Sequence, residues 1–582
     1  MTSASLTHPR PSAIAPDLLD AHARVRIDAV AMREALVFAF AMGSSLDAFD
    51  QHLATASLPT SAWNRAGFVR DLYLEQLLEG PLRIRIDGRA FTACKGYLLR
   101  AIAEPPRDRA VVDFRRAVLS ELASSKAMRA EAESIYRSLV QLRAMLCATA
   151  QRAHGLRRLE ILRAVHALFA QLAASFEGAS SGLRRVRAFG QAAVTSAAYR
   201  RLDALLDHEG HLGTVDLRVR VGAEGDVRAF QVVAVRENRS NPFHTSPIGR
   251  LLARLMLFLR GYRLQGGEVL ERLYEDVFAG LEDSLILCFQ LLGDLEFHLA
   301  GLSFRDCAES KGLSVCFPEL FEDGATQPCA RVRGLFNPLL LAAKHAPTPC
   351  DLEPSLAQAG CVVIVTGPNS GGKTRLLQAI ALAQMLAESG LFAPARSAQL
   401  PRASGLFVSL LDEARADQPE GHLGMELMRI RRMFEELEVG SLVLLDELCA
   451  GTNPSEGEEI ARLVISLLPE LDARVFISTH LLEFAARLQR ERPIAHLEFL
   501  QVELDAREAP TYRFVPGVAR TSLAHKTAAR LGVTRDELEA LIESKRRARA
   551  SPDSSDPTSD PADAGAANDA EAEAASAPIT TH

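Results

Sequence analysis

The stretch that decides the fold is Cys361-Val362-Val363-Ile364-Val365-Thr366, followed by Gly367-Pro368-Asn369-Ser370-Gly371-Gly372-Lys373-Thr374. Its first part is rich in β-branched residues and predicts a buried parallel strand. The second part fits the pattern G-x-x-x-x-G-K-[ST], a glycine-rich turn between a strand and a helix. From the end of this turn a helix is predicted to about Leu386.

The turn contains the residue types that phosphate binding requires. Glycines let backbone N–H groups surround a phosphate without a Cβ in the way, and the helix N-terminus adds a positive partial charge. Lys373 is predicted to reach the β- and γ-phosphates, and the Thr374 hydroxyl to bind Mg²⁺. The candidate nucleotide-binding residues are Gly367, Pro368, Asn369, Ser370, Gly371, Gly372, Lys373 and Thr374.

Two later apolar runs end in residues that suit the same site. Ser441–Leu445 is followed by Asp446, which can hold Mg²⁺, and by Glu447, which can orient or deprotonate the attacking water. Arg474–Thr479 is followed by His480, which can contact a γ-phosphate. Acids at a strand end are often only solvated, and a single histidine is often structural, but their spacing after the glycine turn favours the catalytic interpretation.

Composition limits the class of protein. The chain has 582 residues, enough for several domains, and 48% hydrophobic content. Its nine cysteines include no C-x-x-C pair, so a zinc site is not expected. The sequence shows neither an apolar run of membrane-spanning length nor a signal-peptide pattern, which predicts a cytoplasmic protein with reduced cysteines. The net charge of −7 comes from the segment after Arg549, so the rest of the chain gives no bulk-charge argument for DNA binding.

The remaining chain predicts a mostly helical region before the phosphate-binding strand. Residues 1–20 are predicted to be a flexible leader, and residues 549–582 a disordered acidic tail. Helical spacing of apolar residues covers 21–56, 110–210 and 246–304, with a helix break between Gly178 and Gly182; short strands are predicted over 82–88 and 406–410, and 318–349 is rich in loops.

Two further segments leave alternatives open. Residues 217–235 predict a β-hairpin, whose Arg218, Arg220, Arg228, Arg236 and Arg239, with Asn238 and Ser240, form either a basic patch or a solvated strand face. The helix Met425–Leu437 has a core face, and the residues before it, Glu420–Gly424, either present amides to a partner's phosphate or have no such role. Ser455 and Glu458 have the spacing of a capping box.

Together these motifs resemble the MutS family of DNA mismatch-repair ATPases. The resemblance is carried by Thr366–Thr374, by Leu444–Gly457, by Ser478-Thr479-His480 and by Gly517–Val533, and it is strongest over 355–545. It implies an ABC-like α/β P-loop ATPase domain after a helical core and lever, with the hairpin as a reduced clamp. It also implies ATP and Mg²⁺ as cofactors, Glu447 and His480 as catalytic residues, Thr374 and Asp446 as metal ligands, and a C-terminal helix-turn-helix that supports a homodimer.

The resemblance predicts five regions: a leader over 1–20, a helical core, lever and clamp over 21–345, an ATPase domain over 346–516, a helix-turn-helix over 517–548, and a tail over 549–582. At the start of the second helix of this helix-turn-helix, Thr534 and Glu537 are predicted to form a capping box.

The sequence departs from the family pattern in three places. The residues before the core carry no Phe-x-Glu wedge, Gly421 replaces a serine, and Phe336-Asn337-Pro338 replaces Arg-His-Pro. The expected function is ATP-dependent action on DNA, in mismatch repair or related DNA metabolism, without a direct mismatch wedge. Repair proteins are possible partners, and no membrane partner is expected. The alternative is an ATPase scaffold that acts on protein partners without DNA binding. An ABC-transporter ATPase subunit is disfavoured, because such subunits have no helical core before the ATPase domain.

Overall fold

Helices build the first half of the chain. The computed structural model describes residues 15–148, 154–211, 214–221, 227–236, 266–322, 331–352, 359–410, 422–449, 453–521, 529 and 531–550. Helical structure is found in each of the three ranges where apolar spacing predicted it. The helices are α1 Ala29–Met42, α2 Leu46–Ala54, α3 Leu74–Glu79, α4 Lys95–Ala103, α5 Arg109–Ser124, α6 Lys126–Cys147, α7 His154–Ala174, α8 Leu183–Thr195, α9 Ala197–His211, α10 Gly266–Ala279 and α11 Glu282–Ser310.

The long helix α11 is the centre of this helical region. Almost all of its length is buried, including the polar residues Gln290, Asp294 and His298, which lie four residues apart on one face. Within the described part of the chain, α11 alone is long and apolar enough to cross a membrane, with a mean hydropathy of 1.5, but its apolar window is wholly buried inside the protein. Core helices pass the same test, so α11 is weak support for a membrane span.

The polar face of α11 binds the segment that precedes α1. Asp294 accepts a hydrogen bond from the Leu18 amide at 2.9 Å and pairs with Arg26, and Gln290 accepts the Arg26 amide at 2.7 Å. Leu18 and the Arg26 guanidinium are fully buried. The prediction of a flexible leader is therefore wrong for residues 15–20, because buried polar groups of α11 find their partners in that segment.

In the described part of the helical region, two hairpins interrupt the helices. Strands β1 Arg85–Ile86 and β2 Arg89–Ala90 are joined by Asp87 and Gly88, with φ of 51° and 75°, as a two-residue turn requires. The predicted clamp hairpin is an antiparallel pair, β3 Thr214–Val221 and β4 Val227–Arg236. The turn of this hairpin and the arginine side chains of the predicted basic patch lie outside the described residues, so both interpretations of the patch stay open.

The described residues of the second half of the chain form two sheets. The strands are β5 Glu319–Phe321, β6 Arg331–Leu335, β7 Cys350–Leu352, β8 Val362–Thr366, β9 Ser397–Pro401, β10 Leu406–Ser409, β11 Leu442–Asp446, β12 Arg474–Thr479, β13 Leu497–Leu504 and β14 Pro510–Pro516. A six-stranded sheet has the order β10-β11-β12-β8-β13-β14, in which only the β13–β14 pair is antiparallel. A four-stranded sheet has the order β5-β9-β6-β7.

The remaining helices follow strands of these sheets. The helix after the glycine turn begins at Lys373 and ends at Ser389, close to the predicted range, and it is buried on nearly all sides. The helix that follows β11 begins at Pro454 and has Asn453 as its N-cap. The prediction of Ser455 as the cap is therefore wrong. Proline suits the first helical position because the missing N–H would be unpaired there. The helices are α12 Lys373–Ser389, α13 His422–Glu436, α14 Pro454–Leu467, α15 Leu482–Glu491 and α16 Arg535–Ala550.

Residues after Ser522 form a separate unit, in which α16 is described. The predicted capping box is present: the Glu537 amide donates to Thr534 Oγ1 at 3.4 Å, and the Thr534 amide donates to Glu537 Oε2 at 3.3 Å. The first helix of the predicted helix-turn-helix falls largely outside the described residues, so that motif stays a prediction.

Candidate nucleotide-binding site

The glycine-rich turn has a backbone that depends on its glycines. Gly367 and Gly372 have φ of 146° and 90°, and Ser370 has a φ of 66°. A Cβ on Gly367 would lie 2.5 Å from a methyl group of Val502, and one on Gly371 would lie 2.9 Å from the Pro368 carbonyl oxygen. Glycine is therefore required by conformation at Gly367 and Gly372 and by space at Gly367 and Gly371, and the turn can present backbone amides to a phosphate.

Lys373 begins α12 and is turned back onto this loop. Its Nζ donates hydrogen bonds to the carbonyl oxygens of Gly367 at 3.1 Å and Pro368 at 3.4 Å. Burial lowers the pKa of Lys373, and the nearby carboxylates of Glu447 and Asp446 act in the opposite direction. The ammonium group is thus poorly solvated and has only neutral carbonyl partners in these contacts, a state that a phosphate would improve.

Asp446 joins three elements at one point. It ends β11, and its Oδ2 accepts a hydrogen bond from Thr374 Oγ1 of α12 at 2.5 Å. Its Oδ1 accepts the hydroxyl of Ser478, the residue that faces it on the neighbouring parallel strand β12. Mg²⁺ prefers oxygen ligands and usually takes only one or two carboxylates from the protein. The hydroxyl and carboxylate oxygens of Thr374 and Asp446 therefore fit this ion.

Glu447 and His480 lie at the same edge of the sheet. His480 Nδ1 is 3.4 Å from Glu447 Oε1, and both side chains are about two-fifths exposed. Glu447 has a φ of 53°, and its amide donates to the Ser478 carbonyl oxygen at 3.1 Å. Strands β8, β11 and β12 are parallel neighbours, which brings their carboxyl ends, and the residues predicted for the site, to one edge.

Tyr512 was not predicted from the sequence. It lies in β14 with a φ of 60°, it is 51% exposed, and its ring edge is 3.3 Å from the position of a Cβ on Gly372. An exposed aromatic ring beside a phosphate loop can stack on a nucleotide ring. No sequence signal indicates it, because the sequence analysis predicts no antiparallel pair at β13 and β14.

The positions at which the sequence departs from the family pattern are described only in part. Gly421 and the segment before α13 are not described, so the prediction about a partner's phosphate stays untested. Asn337, in the altered Phe336-Asn337-Pro338 segment, donates through Nδ2 to the Arg375 carbonyl oxygen at 3.0 Å in the first turn of α12. That segment therefore supports the helix that carries Lys373.

The fold and the site together define a class of protein. It is helix-rich, and the mixed sheets in its second half are compatible with a MutS-type ATPase region. Comparison with known proteins then gives the family. Residues 363–543 match the model of MutS domain V. This match and the curated relatives described next both support membership of the MutS family.

Several curated relatives are named Endonuclease MutS2. The chain is 34% identical to that of Thermomicrobium roseum over 229 residues, 38% of this chain and 28% of the relative. It is 34% identical to that of Thermus thermophilus over 191 residues, 32% and 25% of the two chains. For a Clostridium botulinum relative the identity is 32% over 253 residues, 42% and 31%. The chain thus spans between a quarter and a third of the length of these relatives.

Proposed function

We propose that this protein is an ATP-dependent DNA-binding protein of the MutS type, in which ATP binding and hydrolysis drive a conformational change on DNA. The observation that carries the proposal is the meeting of Thr374, Asp446, Glu447 and His480 at one sheet edge beside the glycine-rich turn. Such a set serves phosphoryl transfer, which depends on positioning and electrostatic stabilisation more than on covalent chemistry by the protein.

Each residue has a distinct part in this proposal. The amides of the glycine-rich turn and Lys373 bind the β- and γ-phosphates. Thr374 and Asp446 hold Mg²⁺, which would neutralise phosphate charge. Glu447 accepts a proton from the attacking water, and His480, in contact with Glu447, faces the γ-phosphate. The ring of Tyr512, which lies beside Gly372 of the turn, stacks on the nucleotide.

The variant Glu447→Gln tests the hydrolytic step. It keeps the size of the side chain but cannot accept a proton, so turnover should fall by at least about a hundredfold while ATP binding is retained. A steady-state ATPase assay and a fluorescent-nucleotide titration measure the two properties separately. Glu435→Gln, on the exposed face of α13, is the matched control. Unchanged turnover in Glu447→Gln would show that another group is the base.

DNA binding is tested by affinity across a salt series. If phosphates are bound, affinity should fall steeply between about 50 mM and about 200 mM salt, because each phosphate contact releases counterions. Absence of binding at low salt favours the alternative, an ATPase scaffold that acts on protein partners. The balanced charge of the chain before residue 550 is the observation that keeps this alternative in view.

We further propose a cytoplasmic homodimer that works with repair proteins. The dimer is supported by a row of exposed apolar side chains on α16, Leu538, Leu541 and Ile542, which are 42%, 55% and 50% exposed. Their spacing puts them on one helix face, which a second copy would cover. Sedimentation of Leu541→Glu should give a lower mass than the unaltered chain, and an equal mass would contradict this interface.

A further inference from the structure

The turn that carries Glu447 has an unusual backbone at two of three consecutive residues. Glu447 and Cys449 have φ of 53° and 60°, in the left-handed region that residues with a side chain rarely adopt. Such conformations persist only where the surrounding structure imposes them. The contacts that hold this turn therefore help to determine where the Glu447 carboxylate lies.

One side of the turn is held by the neighbouring strand. The Glu447 amide donates to the carbonyl oxygen of Ser478 at 3.1 Å and to its Oγ at 3.3 Å. This contact fixes the start of the turn relative to β12. It does not fix the following residues, which include Cys449.

The other side of the turn is held by α13. The Cys449 amide donates to Glu426 Oε1 at 3.2 Å, and Glu426 Oε2 is 3.5 Å from Arg429 Nη1. Arg429 in turn donates to the Ser409 carbonyl oxygen at the end of β10 at 3.0 Å. The Glu426 side chain is only 16% exposed, so this carboxylate is fixed between the helix and the turn.

We propose that Glu426 is a positioning residue for Glu447: through the Cys449 amide, α13 holds the turn in the conformation that keeps the Glu447 carboxylate beside His480. The inference rests on the proposed ATPase function with Glu447 as the base. It assigns Glu426 no contact with ATP. Its effect should therefore appear in the rate of the hydrolytic step and much less in nucleotide affinity.

Three variants of the full chain separate this role from a general structural one. Glu426→Ala removes the acceptor and should lower kcat about tenfold, with the KM for ATP changed less than about twofold. Glu426→Gln keeps an oxygen acceptor for the Cys449 amide and should retain kcat within about threefold. Glu435→Ala, on the same helix but paired with Arg431 in solvent, should behave like the unaltered protein.

A double variant gives a readout that a merely structural role would not move. If Glu426 acts through Glu447, then adding Glu426→Ala to Glu447→Gln should cause little further loss of kcat, because the positioned base is already absent. Equal multiplicative losses in the two backgrounds would overturn the proposal. So would a Glu426→Gln variant as slow as Glu426→Ala.

The outcomes also separate this inference from the proposed function. If the unaltered protein does not hydrolyse ATP, the proposed function fails. If it does and Glu426→Ala has unchanged kcat, only the positioning role fails. Should Glu426→Ala not fold, Glu426→Asp decides the question, because its side chain is one methylene shorter and its carboxylate lies further from the Cys449 amide. We expect a KM for ATP close to that of the unaltered protein and a kcat below that of both the unaltered protein and Glu426→Gln. A kcat equal to that of the unaltered protein would overturn the inference.

Discussion

Glu296 is a carboxyl group that the protein buries completely at the centre of the helical region. Its Oε2 accepts the Cys94 amide at 2.9 Å, and its Oε1 accepts the Tyr136 hydroxyl at 3.4 Å. Burial raises the pKa of Glu296 to about 7, although Arg143 and the two hydrogen bonds favour the ionised form. The site therefore prefers a neutral side chain of this shape.

The variant Glu296→Gln should remove a pH dependence of stability that this buried carboxyl causes. Below the ordinary pKa of 4.5 the carboxyl is neutral in both the folded and the unfolded chain. As pH rises from 4.5 to about 7, the unfolded chain ionises while the folded chain stays neutral, so the folded state loses relative stability. Glutamine cannot ionise, so relative to the unaltered protein the variant should gain on the order of 3 kcal/mol at about pH 8 and much less at about pH 5.

Denaturant unfolding at the two pH values measures this difference. Glu435→Gln, at an exposed position, is the control for removing a carboxylate and should show no such pH-dependent gain. A gain in Glu296→Gln that is the same at both pH values would mean that Glu296 is ionised in the folded protein.

At the level of elements, the packing of α7 against α8 depends on Gly190. A Cβ there would lie 2.3 Å from the Ala173 amide nitrogen and 2.4 Å from the Leu172 carbonyl carbon. In an ordinary helix interior, replacing glycine with alanine stabilises by up to about 1 kcal/mol. Here the added methyl group would meet backbone, which cannot move aside as a flexible side chain can.

Gly190→Ala should therefore destabilise the protein by about 1–3 kcal/mol, against the helix-propensity trend. The free energy of unfolding from denaturant titration is the measurement. Gln191→Ala, at the next and exposed position of α8, should stay within about 0.5 kcal/mol of the unaltered protein. Stabilisation by Gly190→Ala would imply that the two helices lie further apart than the structure has them.

Element prediction succeeded where one local pattern decides the structure. The strand before Gly367 and the helix after Gly372 follow from β-branched residues and a glycine turn. Asp446 and Thr374 meet because the parallel strands β11 and β8, on either side of β12, end at one edge of the sheet. The four-stranded sheet was not predicted, because its short strands pair across long sequence separations. Tyr512 and Glu426 were missed for the same reason: their importance lies in contacts that no local spacing encodes.

At the scale of the whole molecule, Arg115 ties the helical region to the sheet region. This fully buried guanidinium donates to the carbonyl oxygens of Leu19 at 2.9 Å, Ala101 at 3.3 Å and Ser389 at 3.1 Å. Ser389 is the last residue of α12, so Arg115 binds a helix C-terminus whose other end carries Lys373. One side chain thereby joins the anchored N-terminal segment, the helical core and the helix of the candidate nucleotide site.

The same contact region contains the single tryptophan of the chain. Trp63 is 7% exposed, and its Nε1 donates to the Ala403 carbonyl oxygen, between β9 and β10, at 3.1 Å. Its fluorescence therefore reports on contact between the helical and sheet regions. Far-UV circular dichroism reports on helices throughout the chain, which gives a second and independent probe of unfolding.

Arg115→Met should lower the midpoints of both signals together. Methionine keeps much of the apolar stem but leaves three buried carbonyl oxygens without this donor, at a cost on the order of 3 kcal/mol. Arg109→Met, on the same helix but exposed and paired with Asp113, should leave both midpoints nearly unchanged.

If Trp63 fluorescence changed at lower denaturant while the dichroism midpoint stayed in place, the two regions would unfold separately, and Arg115 would join parts that are each stable alone. Coincident shifts would instead mean that the helical region and the nucleotide site form one cooperative unit, as coupling of ATP hydrolysis to the helical region requires.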